Sequence, residues 1–321
     1  MENQKNILSQ KVMSRKNFIT ASSIITGGLA MGASFKSTEK TIIENKLLKK
    51  FNLNYAPHFG MFENSAGKDL IDQLKFMHDQ GFTAMEDNGM KGKSKEDQEK
   101  IAQQMTKTNM TMGVFVAHKI YWNEPNLTNG NKDLRNEFLN DIKDCVEVAK
   151  RVNAKWMTVV PGHVDLKLEM GYQTANVVES LKQACGILEP HGLILVLEPL
   201  NFYNHPGLFL KKIPQAYEIC KAVDSPSCKI LDDLYHQQVT EGNLIPNIDE
   251  AWDEIAYFQI GDNPGRNEPT TGEINFNNVF HHIFNKGYNG ILGMEHGKSE
   301  EGKFGEDQLI NAYRKSDNFL N

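Results

Sequence analysis

The chain has 321 residues, of which 40% are hydrophobic and 24% charged, and its formal net charge is −6. This composition is typical of a globular protein with a real core, and the length allows one large α/β domain or two ordinary ones. The negative charge argues against nucleic acid as a partner, because proteins that bind it present a positively charged surface.

The N-terminal segment has the layout of a secretion signal. Residues 14–34 begin with Arg15 and Lys16, continue through a weakly apolar stretch rich in Gly, Ser and Thr, and end in small residues. The segment resembles a twin-arginine signal with Lys16 in the second Arg position. We predict a signal peptide over about residues 1–34, a linker to residue 50, and a periplasmic protein. The alternative is a tail or retained anchor, with the protein otherwise cytoplasmic.

From residue 51 onward, short apolar runs alternate with helical patterns, in which apolar residues recur at three- and four-residue steps. No run in this part reaches the ~18 apolar residues of a stable membrane span. The alternation indicates βαβ units and a parallel sheet. The predicted strands are residues 51–55, 82–86, 110–116, 155–160, 193–198, 228–232, 256–260 and 290–295. The clearest predicted helices are residues 68–81, 96–109, 134–153 and 175–192.

Eight strand–helix units over residues 51–321 match the size of a TIM barrel, which is typically about 250 residues. The rival architecture is a doubly wound sheet, which usually carries a Gly-rich phosphate turn, G-x-G-x-x-G, after an early strand. The sequence contains no such turn. We therefore predict a single (β/α)8 TIM barrel as the catalytic domain.

Four consecutive strands carry groups able to bind a metal ion at or near their C-terminal ends, where barrels of this kind place their functional groups. In chain order these groups are Glu198, Asp232 or Asp233, Gln259 and Glu295. Any one of these acids is also explained as a helix cap or a rim residue. The set as a whole recurs at intervals of about 26 to 36 residues, close to the barrel repeat. Carboxylate and amide oxygens suit Mg²⁺ or Mn²⁺ better than zinc.

The pair Glu198 and Glu295 suggests a reaction, because strands five and eight lie on opposing sides of a barrel mouth. One carboxylate can remove a proton from a carbon next to a carbonyl group, and the other can return a proton. A divalent ion would stabilise the resulting enediolate oxygens. This is the chemistry of isomerases and epimerases that act on hydroxy-carbonyl compounds. Glu86, after strand two, is interpreted either as a substrate contact or as a helix cap.

Three segments resemble the hydroxypyruvate isomerase family of the xylose-isomerase-like TIM barrels. They are EPLNFYNHPG (198–207), CKILDDLYHQQVTEGNL (228–244) and FQIGDNPGRNEPTTGEINF (258–276). The resemblance implies one bound Mn²⁺ or Mg²⁺ ion, with metal ligands Glu198, Asp233, Gln259 and Glu295. It also implies that Glu198 and Glu295 are the catalytic acid and base, and that His236 and Arg266 contact the substrate. Asp233 is preferred to Asp232 because the family motif D-x-Y-H-x-Q begins at Asp233.

The chain departs from the family pattern at Asn204, His296 and His163, all near the predicted site. The reaction class therefore transfers better than the substrate, which is a small hydroxy-carbonyl compound or a sugar. The alternatives are a lyase or hydratase acting on 3-keto sugars, and an exported sugar-binding protein without catalysis. The carboxylate set and the negative charge disfavour an AP endonuclease of the same superfamily. Barrels of this superfamily often pair, so a homo-oligomer is compatible with the resemblance.

Overall fold

The computed structural model describes residues 50–320, so the predicted signal peptide lies outside the described residues. Within that range eight strands alternate with helices along the chain. The strands are β1 (Asn54–Ala56), β2 (Ala84–Met85), β3 (Thr111–Met112), β4 (Trp156–Val159), β5 (Ile194–Leu197), β6 (Cys228–Asp233), β7 (Ile255–Gln259) and β8 (Ile291–Gly293). The helices are α1 (Glu63–Ala66), α2 (Leu70–Asp79), α3 (Lys95–Thr108), α4 (Lys132–Val152), α5 (Met170–Leu188), α6 (Ile213–Val223), α7 (Leu234–Thr240), α8 (Leu244–Ala251), α9 (Phe276–Asn285) and α10 (Gly302–Ser316).

The strands form a closed parallel ring. Six of them pair in the order β1-β8-β7-β6-β5-β4, and β2 pairs with β3. Isolated parallel bridges join these two groups, His58 to Glu86 on one side, and Met112 to Ala154 and Val116 to Thr158 on the other. The prediction of a (β/α)8 TIM barrel is therefore confirmed.

Strand β3 is shorter than the predicted run 110–116, for a local reason. The backbone N–H of Val114 donates to the hydroxyl of Tyr257 at 3.4 Å rather than to a neighbouring strand. The chain returns to strand-like pairing at Val116, which bridges Thr158. The side chain of Tyr257 thus interrupts the backbone hydrogen bonds of β3 at Val114.

The helix ends follow the side chains that cap them. At the helix starts, Asp69 and Asn131 each accept hydrogen bonds from two backbone N–H groups of α2 and α4, and Ser94 accepts one from α3. Asn109 and Asn153 end α3 and α4 in the left-handed conformation that Asn tolerates better than most residues. These polar residues explain why the predicted boundaries of the first three helices are close to the observed ones.

Helix α5 begins at Met170, earlier than the predicted residue 175. The reason is Gln173, whose side chain accepts from the backbone N–H of Asp165 at 2.8 Å and donates to the carbonyl of Leu168 at 2.6 Å. This buried amide ties the preceding loop to the first turn, which apolar periodicity does not reveal.

The hydrophobic core has an outer layer between strands and helices and a small inner layer inside the barrel. The inner layer consists of Ala56, Ala84, Val114, Val196, Leu231, Tyr257 and Ile291. Since side chains alternate along a strand, residues two positions further on point the same way, toward the barrel mouth. None of the helices between residues 50 and 320 combines the length and apolar character needed to cross a bilayer.

Candidate active site

The C-terminal ends of β6, β7 and β8 hold the predicted groups at one level of the barrel. Asp233 pairs in register with Gln259, and Gln259 pairs with Gly293. Because side chains alternate along a strand, Asp233 lies on the same face as the inner-layer residue Leu231, whereas Asp232 points toward the helices. Glu198 directly follows β5.

The structure brings the predicted acids together in the barrel mouth. Ligand atoms of Glu198, Asp233 and His236 all lie within 4.8 Å of one another. Arg266 links Glu295 to this cluster, because its Nη2 donates to Asp233 Oδ2 at 2.9 Å and to Glu295 Oε2 at 2.8 Å. Arg266 therefore lies in the site, although its bonds there are to acids that the sequence assigned to a metal.

Crowding of acids shifts their titration. Burial, followed by the charges of Glu295 and Asp233, raises the pKa of Glu198 well above its usual range. Withdrawal from water raises the pKa of Glu295 to about 7, although Arg266 opposes the shift. A further positive charge in the mouth would favour the ionised forms of both carboxyl groups.

Gln259 contributes one buried oxygen to this centre. Its Nε2 donates to Glu86 Oε1 at 3.4 Å. Its Oε1 is buried and has no hydrogen-bond partner among residues 50–320. An unpaired buried amide oxygen is costly unless a ligand satisfies it, and a hard cation is a suitable ligand.

Hydrogen bonds from Asn201 determine which ring nitrogen of His236 carries the proton. The backbone N–H of Asn201 donates to His236 Nδ1 at 3.2 Å, and its side-chain Nδ2 lies 2.7 Å from the same nitrogen. A backbone N–H cannot accept a hydrogen bond, so Nδ1 is the unprotonated ring nitrogen. Burial lowers the pKa of His236 to about 4, so the ring is neutral at pH 7 and carries its proton on Nε2.

With its proton on Nε2, His236 presents a hydrogen-bond donor to the barrel mouth. Nε2 lies 3.5 Å from Asp233 Oδ2 and makes no hydrogen bond among the described residues. Asn204, one of the departures from the family pattern, supports this arrangement: its Oδ1 accepts from Asn201 Nδ2 at 2.8 Å and from the Tyr235 hydroxyl at 2.9 Å. These bonds hold the ring of His236 in place with Nε2 unpaired among the described residues.

The loop that carries Arg266 is closed by one buried carboxylate. Asp262 accepts from the backbone N–H groups of Asn263 at 2.9 Å, Gly272 at 2.8 Å and Ile274 at 3.0 Å. Arg266 itself has a φ of 50°, in the left-handed region. Asp262 therefore fixes both ends of the loop while Arg266 reaches into the mouth.

The two glutamates of this loop, Glu268 and Glu273, accept hydrogen bonds from groups in and around the loop. Glu268 accepts from the backbone N–H of Ser299 at 3.0 Å, which ties the loop to the segment after β8. Glu273 accepts from Asn263 Nδ2 at 2.6 Å and from Gln238 Nε2 at 3.1 Å. Both acids shape the wall of the site.

Two histidines expected near the site from their sequence positions make hydrogen bonds to other groups of the protein. His296 donates through Nδ1 to the carbonyl of Gly297 at 2.7 Å and accepts at Nε2 from the Tyr313 hydroxyl at 2.7 Å. His163 donates through Nδ1 to the carbonyl of Val164 at 2.9 Å. Both ring nitrogens of His296 therefore have partners within the protein, and its bonds hold local structure together.

Sequence reasoning missed Asn88 and Asn201. Asn88 Nδ2 donates to Glu295 Oε1 at 2.7 Å and so holds the oxygen that Arg266 does not. Asn88 follows β2 and Asn201 follows β5, so the only indication of a role at the site was their position just after a strand end. Neither residue is charged, so neither stands out beside the acids, histidines and arginine that follow the other strands.

His118 predicts a pH dependence of stability. It is buried, its Nε2 accepts from the backbone N–H of Val160 at 3.3 Å, and burial lowers its pKa to about 4. Its contribution is complete above the unfolded pKa of about 6.5 and is lost as the pH falls toward 4, by at most about 1.4 kcal/mol per pH unit. We expect His118→Gln, which keeps an acceptor, to flatten this decline. Urea unfolding at pH 7.5, 6 and 5 measures it, and equal slopes for both proteins would contradict the assignment.

Comparison with known proteins identifies the family. Residues 74–316 match the model of a family described as xylose isomerase-like TIM barrel. Among curated proteins, hydroxypyruvate isomerase of Escherichia coli K12 is 33% identical over 160 residues, which are 50% of this chain and 62% of that protein. The 2-oxo-tetronate isomerase of Pectobacterium atrosepticum is 30% identical over 165 residues, 50% of this chain and 63% of that protein. The chain thus spans less than two thirds of either relative's length.

Solved structures agree on the fold. The chain resembles AP endonuclease, family 2, from Brucella melitensis with a TM-score of 0.71 and 23% identity, covering 81% of this chain and 98% of that one. For 3-keto-D-glucoside 4-epimerase from E. coli the TM-score is 0.68 at 17% identity, covering 82% and 99%. For the IolI protein with a bound zinc atom it is 0.65 at 19% identity, covering 82% and 96%. The fold agrees with the family model, and the match of that model over residues 74–316 establishes that the chain belongs to the xylose isomerase-like TIM barrel family.

Proposed function

We propose that the protein is an isomerase or epimerase of a small hydroxy-carbonyl compound or sugar, and that it uses one divalent metal ion. The observation that carries the proposal is the proximity of Glu198, Asp233 and Glu295: ligand atoms of Glu198 and Asp233 lie within 4.8 Å of each other, and Arg266 donates to both Asp233 and Glu295. The names of the two curated relatives, hydroxypyruvate isomerase and 2-oxo-tetronate isomerase, support this reaction class.

The donor set fits a hard divalent ion such as Mn²⁺ or Mg²⁺. The ligands would be the carboxylates of Glu198, Asp233 and Glu295 and the unpaired Oε1 of Gln259. When bound, the ion supplies a Lewis acid that stabilises negative charge on the oxygens of the substrate. The zinc atom bound by the IolI protein, one of the structural neighbours, supports a metal in this chain too, and the choice of Mn²⁺ or Mg²⁺ rests on the oxygen donors.

The protein's own residues perform the proton transfer in this proposal. One of Glu198 and Glu295 takes a proton from the carbon next to the carbonyl group, and the electron pair of that C–H bond moves onto the carbonyl oxygen. The Nε2–H of His236 donates a hydrogen bond to that oxygen. The other glutamate returns a proton to the opposite face of the same carbon, which restores the carbonyl group and completes an epimerisation. In an isomerisation the proton returns instead to the former carbonyl carbon, while the proton of the neighbouring hydroxyl group moves to the former carbonyl oxygen and the new carbonyl forms at the hydroxyl-bearing carbon. Arg266 holds a carboxylate or hydroxyl group of the substrate with its planar set of donors.

The remaining features of the chain favour a small-molecule substrate over DNA. One structural neighbour bears the name AP endonuclease, but nucleic-acid binding calls for a positive surface and this chain has a net charge of −6. The 3-keto-glucoside epimerase among the neighbours supports a sugar as the second substrate class to test.

A screen in deuterated water tests the proposal. Purified protein, freed of metal by a chelator and then given Mn²⁺ or Mg²⁺, is incubated with hydroxypyruvate, ketohexoses and 3-keto sugars, and NMR follows deuterium at each carbon. We expect exchange at one carbon of one substrate class, lost with the chelator and restored by the ion. Elimination of water would indicate a lyase or hydratase. Tight sugar binding without exchange would contradict catalysis.

We also propose that the protein is exported, on the basis of the twin-arginine-like segment around Arg15 and Lys16. The N-terminal residue of the mature protein tests this. A mature chain that begins near residue 35 supports export, and one that begins at Met1 in the cytoplasmic fraction contradicts it.

A further inference from the structure

Glu86 is a fully enclosed acid beneath the proposed metal ligands. It directly follows β2, bridges to His58, and has 1% of its surface exposed. Its Oε2 accepts from the Tyr257 hydroxyl at 2.8 Å, and its Oε1 accepts from Gln259 Nε2 at 3.4 Å. Both oxygens of the carboxyl group thus have side-chain partners inside the barrel, and the group does not act as the helix cap that was one interpretation open from the sequence.

Two glycines on other strands make room for this group. A Cβ atom at Gly293, the last residue of β8, would lie 1.9 Å from Glu86 Oε2. A Cβ atom at Gly113, just after β3, would lie 2.4 Å from the Tyr257 hydroxyl and 2.9 Å from Glu86 Cβ. Both distances to oxygen are far below van der Waals contact, so the two positions exclude any side chain where Glu86 and Tyr257 meet.

The hydrogen bonds around Glu86 run toward its carboxyl oxygens. The Tyr257 hydroxyl accepts from the backbone N–H of Val114, so its own proton is free to go to Glu86 Oε2. Glu86 then presents Oε1 as an acceptor to Gln259. The amide of Gln259 satisfies it with Nε2, and Oε1 of Gln259 must lie on the opposite side of the planar amide group.

We infer that Glu86 is a positioning residue, which holds the amide of Gln259 so that its oxygen is presented to the cation of the proposed site. The inference rests on the proposed function, since it assigns Glu86 a role toward the same metal ion. It also accounts for the unpaired Oε1 of Gln259, which no residue between 50 and 320 satisfies. Partners of this kind orient the groups that bind a metal and are worth about 10- to 100-fold in metal affinity.

Calorimetric titration of the metal-free full-length protein with Mn²⁺ tests the inference without relying on activity. Glu86→Leu removes the acceptor at similar volume, and we expect it to weaken Mn²⁺ binding by about 10- to 100-fold. Glu86→Gln keeps one acceptor oxygen for Gln259 and is expected to recover most of that loss. A matched control is Glu306→Gln, because Glu306 is equally buried but binds Asn64 and Lys298. This control should leave Mn²⁺ affinity unchanged.

A double-mutant cycle shows whether Glu86 acts through Gln259. If it does, Glu86→Leu adds no further loss to Gln259→Leu, because the amide it positions is already gone. The inference would be overturned if the fold losses in Mn²⁺ affinity of the two single variants multiplied in the double variant, or if Glu86→Leu bound Mn²⁺ with wild-type affinity. Either result would leave the proposed metal site standing. If Glu86→Leu fails to fold, Tyr257→Phe replaces it, since loss of the hydroxyl frees Glu86 Oε2 and is expected to weaken Mn²⁺ binding in the same direction. Wild-type protein that binds no Mn²⁺ would overturn both the proposed metal dependence and this inference.

Discussion

Replacing Glu198 by Gln is expected to lower the rate of deuterium exchange into substrate by about 10²–10⁴-fold, the range that general acid–base catalysis contributes. The amide has nearly the same shape as the carboxylate but accepts no proton from carbon. Glu295→Gln should cause a loss of the same order, because the reaction needs both a base and an acid. The measurement is exchange followed by NMR with the substrate that the screen identifies.

This loss should come without a loss of stability. Burial raises the pKa of Glu198, so the charged form destabilises the folded protein at neutral pH, and a neutral side chain removes that cost. Thermal unfolding of Glu198→Gln at pH 7.5 should therefore occur at the wild-type temperature or above it. Glu254→Gln is the control, because Glu254 is buried but paired with Lys229 at 2.6 Å, away from the barrel mouth. Full exchange in Glu198→Gln would rule out the two-glutamate mechanism.

The second large effect is expected for Asp233→Asn. Asp233 is completely buried, binds Arg266, and accepts from the backbone N–H of Tyr235 at 2.8 Å at the start of α7. Asn also caps helices well, so the fold should persist while one negative charge of the cation site is lost. Since loss of an outer partner of a metal already costs about 10- to 100-fold, removal of a ligand is expected to weaken Mn²⁺ binding by at least about 10²-fold.

The neighbouring acid provides the matched control for this change. Asp232 has 2% of its surface exposed, but it points toward the helices, and burial followed by the charge of Asp233 raises its pKa to about 8. It is therefore mostly protonated at pH 7, and Asp232→Asn should leave both Mn²⁺ affinity and exchange unchanged. Calorimetry and exchange on the two variants side by side decide between them. A larger loss in Asp232→Asn would reverse the assignment of the ligand.

Much of the barrel follows from local patterns in the sequence. The run LILVLE before Pro199 and the run CKILDD both have the pattern of buried strands that end in acids, and β5 and β6 lie there. The regular spacing of a parallel barrel then aligns their ends, which is why Glu198 and Asp233 were predicted to meet. Helix ends at polar caps such as Asp69 and Asn131 are local in the same sense.

The contacts that complete the site could not be predicted, because they join segments far apart in the chain. Asn88 binds Glu295 across 207 residues, and Glu86 binds Gln259 across 173. Nothing near Glu86 in the sequence reveals that Gly293 leaves space for it. Arg266 was predicted to lie at the site and does, but its two acidic partners became visible only in three dimensions. Its contact with substrate stays a prediction.

The loop closed by Asp262 has a consequence for how such a barrel changes its substrate. One carboxylate accepts hydrogen bonds from the backbone at positions 263, 272 and 274, so the two ends of the eight-residue stretch between 263 and 272 are held close together. Exchanges in that stretch that keep Arg266 and Glu268 leave their bonds to Asp233, Glu295 and Ser299 in place. New specificities can therefore arise there by exchange of a short segment, and a library that varies residues 264–271 while keeping Asp262, Arg266, Glu268 and Gly272 is the natural starting point for redesign.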